Sequence, residues 1–464
     1  MDISIQNLGA IKQADISLGD FTIICGKNNT GKTYITYAIY GFLDYWHNAR
    51  AIIDIPNKII NELIDNGSVS VPLELFAKES NKILNKTSKE YSAVIDKIFA
   101  GKESLFADSK LSITVAKDNT YKTNNIQITV GSAGGRNLLG INKEENEENI
   151  TISLMIDKKS EDIPPRIFIE DMISSAIQEL IFKNQIPKAF ISSAERTGSA
   201  IFQKELDFTR NRLVDLLGDK SSKISPARLL GKFSAEYPVP VKKNIDFIRD
   251  LPNITNKESI FLKEHPDILN KFHDIIGGEY KVSKDGEIQY IPNKKRAVKL
   301  SLVESSSAVR SLLDLGFYLR HIAQPGDLLV IDEPELNLHP ENQRKVARLL
   351  SMLVNHGIKV FITTHSDYII KELNTLILLN KRGKRLEALA KREGYEPLEL
   401  LNCNKLKVYM ANEALVKVEG NSKRTKCHTL IPAKITQENG IELESFDNTI
   451  EDMNRIQEEI IWGE

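Results

Sequence analysis

Residues 26–33 read Gly-Lys-Asn-Asn-Thr-Gly-Lys-Thr. They fit G-x-x-x-x-G-K-[ST] at every fixed position, the pattern of a loop that cradles phosphates. Before the loop stands Phe-Thr-Ile-Ile-Cys, 21–25, a short apolar, β-branched run suited to a buried strand. After it, residues 33–46 show helical spacing. Strand, glycine-rich turn and helix are the context this pattern requires. Gly26 lets the chain turn sharply, and Gly31 lets backbone approach a phosphate. The amides of Gly26, Lys27, Asn28, Asn29, Thr30 and Gly31, with the helix start, form an anion nest. Lys32 is placed to reach β- and γ-phosphates, and the Thr33 hydroxyl to ligate Mg²⁺. The ligand expected is ATP with Mg²⁺.

Two later stretches complete that chemistry. Residues 328–335 read Leu-Leu-Val-Ile-Asp-Glu-Pro-Glu, four apolar residues running into two carboxylates. Adjacent carboxylates at the end of a buried strand are costly unless a cation or water compensates them. Asp332 is the candidate Mg²⁺ ligand, with Thr33, and Glu333 the candidate general base for water. Residues 361–366 read Phe-Ile-Thr-Thr-His-Ser, so His365 follows another apolar strand one helix later. It is a candidate switch histidine for the γ-phosphate.

Around these motifs strands and helices alternate, which implies an α/β fold built on a mainly parallel sheet. Residues 2–8 alternate as a half-buried strand, and 14–18 and 188–193 are strand-like. Residues 307–323 and 341–357 have helical periodicity, the second closed by Gly357. Four regions are expected: 1–50 with the phosphate loop, an inserted helical and mixed arm over 51–185, 186–380 with the acidic strand and histidine, and a polar C-terminal appendage over 381–464. The acidic stretch 142–149 is a solvated turn within the arm.

The chain has 464 residues, 41% hydrophobic and 27% charged, the balance of a globular protein with room for a large core. Its 62 basic and 63 acidic side chains leave a net charge of −1, which excludes a globally basic nucleic-acid coat. Cys25, Cys403 and Cys427 are too few and too scattered for a disulfide framework or a CxxC zinc site. No run approaches about 18 apolar residues, and no signal peptide is read at the start. Cytoplasmic location without membrane association is expected.

The order of phosphate loop, serine-rich loop, Asp332-Glu333-Pro334-Glu335-Leu336-Asn337-Leu338-His339-Pro340 and Thr363-Thr364-His365-Ser366 resembles ABC-type ATPases. It is most similar to the AAA proteins grouped with RecF, SMC and the overcoming-lysogenization-defect family. Among these it resembles the bacterial defence ATPases of Septu-type, PARIS-type and retron-associated systems. The matching motifs anchor residues 1–45 and 295–370.

The resemblance implies a P-loop NTPase with an ABC-type ATPase head, working as a head-to-tail homodimer or higher even oligomer. ATP would lie between the phosphate loop of one subunit and the signature loop of the other. The signature candidate is Glu304-Ser305-Ser306-Ser307-Ala308-Val309-Arg310, which lacks the paired glycines usual there. Ser305, Ser306 and Ser307 would meet the γ-phosphate, with a plain helix cap as the alternative. Asn337 and His339 would line the dimer interface. Arg196 would sense nucleotide or form a structural salt bridge.

The interval from Thr33 to Asp332 leaves at most about 50 residues per arm strand, or about 75 Å of helix, so a long SMC-type coiled coil is excluded. The activity implied is ATP hydrolysis, slow because its output is conformational, gating a separately encoded nuclease or toxin in anti-phage defence. Two alternatives stand beside it: a RecF-like DNA repair ATPase, and an ATP-binding scaffold with negligible turnover. Intact Glu333 and His365 argue against the second.

Other signals are discounted. Val416 to Ser422 resembles the start of a TOPRIM nuclease, but no Asp-x-Asp follows, and Glu419-Gly420 reads as a turn. Cys427-His428 is incidental. The basic runs 381–385, 391–392 and 293–296 are solvated faces, with phosphate contact as the alternative that leaves nucleic acid among the partners.

Overall fold

The computed structural model describes residues 1–49, 52–116, 120–123, 125–131, 137–155, 165–202, 237–295, 298–381, 383–417, 424–442 and 448–462. The chain divides into two compact units. One holds Met1–Ser4, Phe42–Val94 and Lys110–Lys188; the other holds Ile5–Gly41, Ile95–Ser109 and Ala189–Glu464. The segment expected as an arm, 51–185, thus contributes residues 95–109 to the unit that carries the phosphate loop.

The larger unit is organised by a sheet. Its first strands are β1 (Asp2–Leu8), β2 (Ile11–Ser17) and β3 (Phe21–Cys25). Within this unit the order is β1, β2, Thr425–Pro432, Leu406–Val416, β3, Lys359–Thr364, Leu328–Asp332 and Ala189–Ser192. The last five run parallel to one another, and Thr425–Pro432 is antiparallel to Leu406–Val416.

β3 and Leu328–Asp332 are buried at every residue, because helices cover both faces of a sheet of this kind. Helix α1 (Lys32–Asn48) leaves β3 through the glycine-rich loop. Helices Pro340–Asn355 and Asp367–Leu379 pack on one another beside the sheet. Their apolar faces join Leu313–His321 in one continuous core. His339 caps the first helix and Ser366 the second, each accepting a backbone N–H of the first turn.

The polar appendage expected over 381–464 gives way to sheet structure. Leu406–Val416 pairs in parallel with β3 and lies in the middle of the sheet. Leu406, Val408, Tyr409 and Ala411 in its first half are buried, with Lys407 exposed between them. The stretch 418–423 lies outside the described residues, as does the Glu419-Gly420 turn. Cys427 and His428 sit on a strand, and no group of His, Cys, Asp or Glu among the described residues is arranged to hold a metal on its own.

The smaller unit is a four-stranded sheet in the order Ser68–Pro72, Asn149–Leu154, Asn137–Lys143, Ile126–Gly131, with each neighbour antiparallel. Its aromatic core includes Trp46 edge-on to Phe182 at 4.9 Å and Phe42 edge-on to Tyr91 at 5.5 Å. Residues 144–148 form the exposed acidic turn between two of its strands. No described helix is long and apolar enough to cross a membrane.

Candidate functional site

The C-terminal ends of the parallel strands bring the motifs together, as strand topology requires for an open α/β sheet. β3 delivers the loop 26–31. At Gly26 φ is +149°, and a Cβ there would stand 2.7 Å from the Ala411 carbonyl oxygen of the neighbouring strand. At Gly31 φ is +89°, and a Cβ would meet Ile11 Cγ1 at 2.8 Å. Both positions require glycine.

Lys32 opens α1 and is only 5% exposed. Its Nζ donates to the Gly26 carbonyl at 2.9 Å and the Lys27 carbonyl at 2.8 Å. Thr30 Oγ1 closes the same loop on the Lys27 carbonyl at 2.8 Å. Burial lowers the Lys32 pKa, while Glu333, Asp332 and Glu335 pull it back up. A cleft of about 420 Å³ opens here, lined by Ala10, Asn28, Asn29, Gly31, Lys32, Thr33, Tyr34 and Glu333. That volume falls within the range of small-molecule sites.

Asp332, at the end of Leu328–Asp332, is completely buried. Its Oδ1 accepts the Thr363 hydroxyl, and Oδ2 closes no hydrogen bond. Burial pushes its pKa up to about 6, against the lowering effects of the Thr363 and Thr33 hydroxyls. The Thr33 hydroxyl therefore acts on this carboxylate without satisfying Oδ2. A buried carboxylate oxygen left open beside a threonine hydroxyl is the donor pair a Mg²⁺ ion bound mainly to phosphates and water would use, so the residues fit the expected metal.

Glu333 follows with φ at +53°, a left-handed conformation for a residue that has a Cβ. Such backbone costs on the order of 1–3 kcal/mol and persists only where neighbours hold it. Its N–H donates to the Thr363 carbonyl and hydroxyl, both at 3.2 Å. The turn aims the carboxylate at His365, whose Nδ1 lies 3.5 Å from Glu333 Oε1 and 3.3 Å from Glu335 Oε1. The hydrogen bond from His365 holds Glu333 below the usual carboxylate range. The same bond and the two carboxylate charges raise His365, which is half-exposed.

Glu335 was not among the expected site residues. It is 5% exposed, and its Oε1 accepts the Thr364 hydroxyl at 2.8 Å and the His365 N–H at 2.7 Å. It fixes the histidine's backbone and supplies a second negative charge to its ring.

Arg196 is committed to the backbone rather than to a carboxylate. It is 2% exposed, and its guanidinium donates to four backbone carbonyls. These are Ser311 at 2.7 Å, Ser193 at 2.8 Å, Asp332 at 2.7 Å and Glu333 at 2.7 Å. Its fork thus ties the acidic turn to the helix that follows the serine loop. Asp314, completely buried on the next helix, has a pKa raised by burial to about 7 and lowered in part by this guanidinium. Arg196→Ala removes the guanidinium from all four carbonyls; Ser193 keeps the N–H of residue 196 and Glu333 that of Leu336, while the tie between the acidic turn and the Ser311 carbonyl is lost. A destabilisation of about 3–5 kcal/mol is expected by urea unfolding, with Arg196→Lys recovering part of it. A loss under about 1 kcal/mol would show that the carbonyl cage is not a structural tie.

The serine loop divides. Ser305 Oγ is turned inward on the Leu302 carbonyl at 2.6 Å. Ser306 Oγ caps Ser307–Ser311 by accepting the Val309 N–H at 3.3 Å. Ser306 and Ser307 face solvent. None of the three serines lines the cleft with Lys32 and Glu333. Asn337 has φ at +60° and, with His339, stands in the turn before Pro340. Cys25 offers no nucleophile: burial pushes its thiol up to about 12.

A glycine-rich loop between strand and helix faces an acidic strand end and a histidine, the arrangement of a P-loop nucleotide site. Residues 1–370 match the AAA ATPase domain, and the chain belongs to that family. Among solved structures it is similar to the SMC head domain from Thermotoga maritima, at 11% identity over 94% of this chain and 98% of that one, with a TM-score of 0.29. It is also similar to an Smc head domain with an extended coiled coil, bound to the C-terminal domain of ScpA and derived from Pyrococcus furiosus. That match has 13% identity over 98% of each chain and a TM-score of 0.31. No curated protein matches.

Proposed function

We propose that the chain is an ABC-type ATPase that binds and slowly hydrolyses ATP as a head-to-tail dimer in the cytoplasm. Its ATP state gates a separately encoded effector, a nuclease or toxin, in anti-phage defence. The observation that carries the ATPase reading is the convergence of Lys32, Thr33, Asp332, Glu333 and His365 in one small region. The motif order and its resemblance to defence ATPases carry the gating role.

In this reading Lys32 leaves the Gly26 and Lys27 carbonyls for β- and γ-phosphate oxygens. Thr33 and Asp332 would hold Mg²⁺, which would supply charge compensation to the phosphates when bound. Glu333, ionised at neutral pH, takes a proton from water as the water oxygen bonds to the γ-phosphorus and the bond to the bridging oxygen breaks. His365 keeps Glu333 aimed and donates to the γ-phosphate. Arg196 holds the backbone of the turn that carries both carboxylates.

The one-sidedness of the cleft supports the dimer. Its described lining comes from the loop, α1, the turn after β1 and Glu333, with no serine-loop residue across from them. Ser306 and Ser307, exposed at a helix start, support the same role from a second copy. Phosphate release per chain should therefore rise with chain concentration until dimers saturate. A rate per chain that is constant across the dimer's dissociation range would contradict the two-copy site.

A further inference from the structure

Beyond the groups assigned to phosphate, the cleft is lined by Ala10 and Tyr34. Tyr34 directly follows Thr33 in α1, where a phosphate chain held at the helix start must give way to ribose and base. The residue is 38% exposed although its ring already packs on others. Phe99 stacks on it with centroids 5.2 Å apart and planes 22° apart. Phe106 stacks in turn on Phe99 at 5.0 Å and 18°.

This stack is held in place from several sides. Gly9 has φ at +54°, and a Cβ there would stand 2.7 Å from Tyr34 Cδ1, so the turn after β1 closes on the ring only as glycine. Gly101 makes room for Phe106 in the same way, with a Cβ 2.6 Å from its Cε2. The segment that carries both phenylalanines is pinned to the end of β1. Asn7 Nδ2 donates to the Asp108 carbonyl at 3.2 Å, and Ser109 Oγ donates to the Asn7 carbonyl at 2.6 Å. A ring fixed this firmly loses little conformational entropy when a ligand is laid against it.

We propose that Tyr34, backed by Phe99 and Phe106 and flanked by Gly9 and Ala10, supports the nucleobase of the bound triphosphate. The support is apolar contact with the base rather than hydrogen bonding to its edge, so adenine and guanine nucleotides are held alike. This rests on the nucleotide reading of the same cleft. Contact between an aromatic ring and a base tolerates any base, because each presents a π-face.

The test measures dissociation constants of the full chain with Mg²⁺ for ATP, GTP and inorganic tripolyphosphate. In wild type, ATP and GTP should bind within about tenfold of each other. Tyr34→Ala should weaken both by about 10- to 100-fold and leave tripolyphosphate within about twofold, while Tyr34→Phe and Tyr34→Trp keep nucleotide affinity within about threefold. The unchanged tripolyphosphate affinity also shows that the variant is folded. Tyr34→Ala binding ATP as tightly as wild type would overturn the proposal. So would an equal loss for tripolyphosphate, which would make Tyr34 a prop for the loop, or a strong wild-type preference for one purine. Wild-type chain that binds neither nucleotide nor tripolyphosphate would overturn the nucleotide reading itself.

Discussion

Lys32→Ala should raise the dissociation constant for Mg-ATP by at least about a hundredfold. Each hydrogen bond from a charged donor to phosphate contributes about 1.5–3 kcal/mol, and Lys32 serves two phosphates. The ammonium is buried beside the cleft and is held by the carbonyls of Gly26 and Lys27. Three carboxylates, Glu333, Asp332 and Glu335, already oppose the effect of burial on its charge. Without Lys32 those carboxylates face the triphosphate with less to offset them, so repulsion adds to the lost bonds. Calorimetric titration decides the matter, with thermal unfolding as a check that the variant is folded. Affinity retained within about threefold would remove the phosphate-loop assignment.

The second large effect separates binding from chemistry. Glu333→Gln should bind ATP nearly as wild type does and hydrolyse it about 10²–10⁴-fold more slowly, the range for loss of a general base. Glutamine keeps the size of the side chain and the hydrogen bonds of the turn, but it cannot accept the proton from water. The expectation rests on geometry. The strained backbone at Glu333 is held by Thr363 and by Arg196, and it directs the carboxylate to His365. Because His365 keeps Glu333 below the usual carboxylate range, the base is ionised throughout the neutral range. Single-turnover phosphate release measures the step directly. An undiminished rate would reject Glu333 as the base.

The centre of the sheet could be read from sequence because its strands are unbroken apolar runs. Phe21–Cys25 and Leu328–Asp332 are buried at every position, and Lys359–Thr364 at all but its first. Leu406–Val416 was hidden by its own pattern. Its second half alternates and is largely exposed, and its partner, β3, lies nearly 400 residues earlier. Nothing local marks such a pairing. The motifs themselves were legible because a phosphate loop constrains residue type and spacing together. The contacts of Arg196 are not legible in sequence, since a cage of backbone carbonyls leaves no trace in side-chain identity. Glu335 carries no separate signal in sequence, because Glu333 beside it already accounts for the acidic turn. Its bond to the His365 amide appears only once two strands are set side by side. The hydroxyl of Ser305, expected at the γ-phosphate, is committed to the Leu302 carbonyl.

The most direct test of ATP-gated assembly is native mass spectrometry of Glu333→Gln chain, tagged and purified from its own host with and without Mg-ATP. An even-numbered oligomer that forms on ATP and carries a second polypeptide is the predicted result. A monomer indifferent to ATP, with nothing bound to it, would contradict both the shared site and the gated effector.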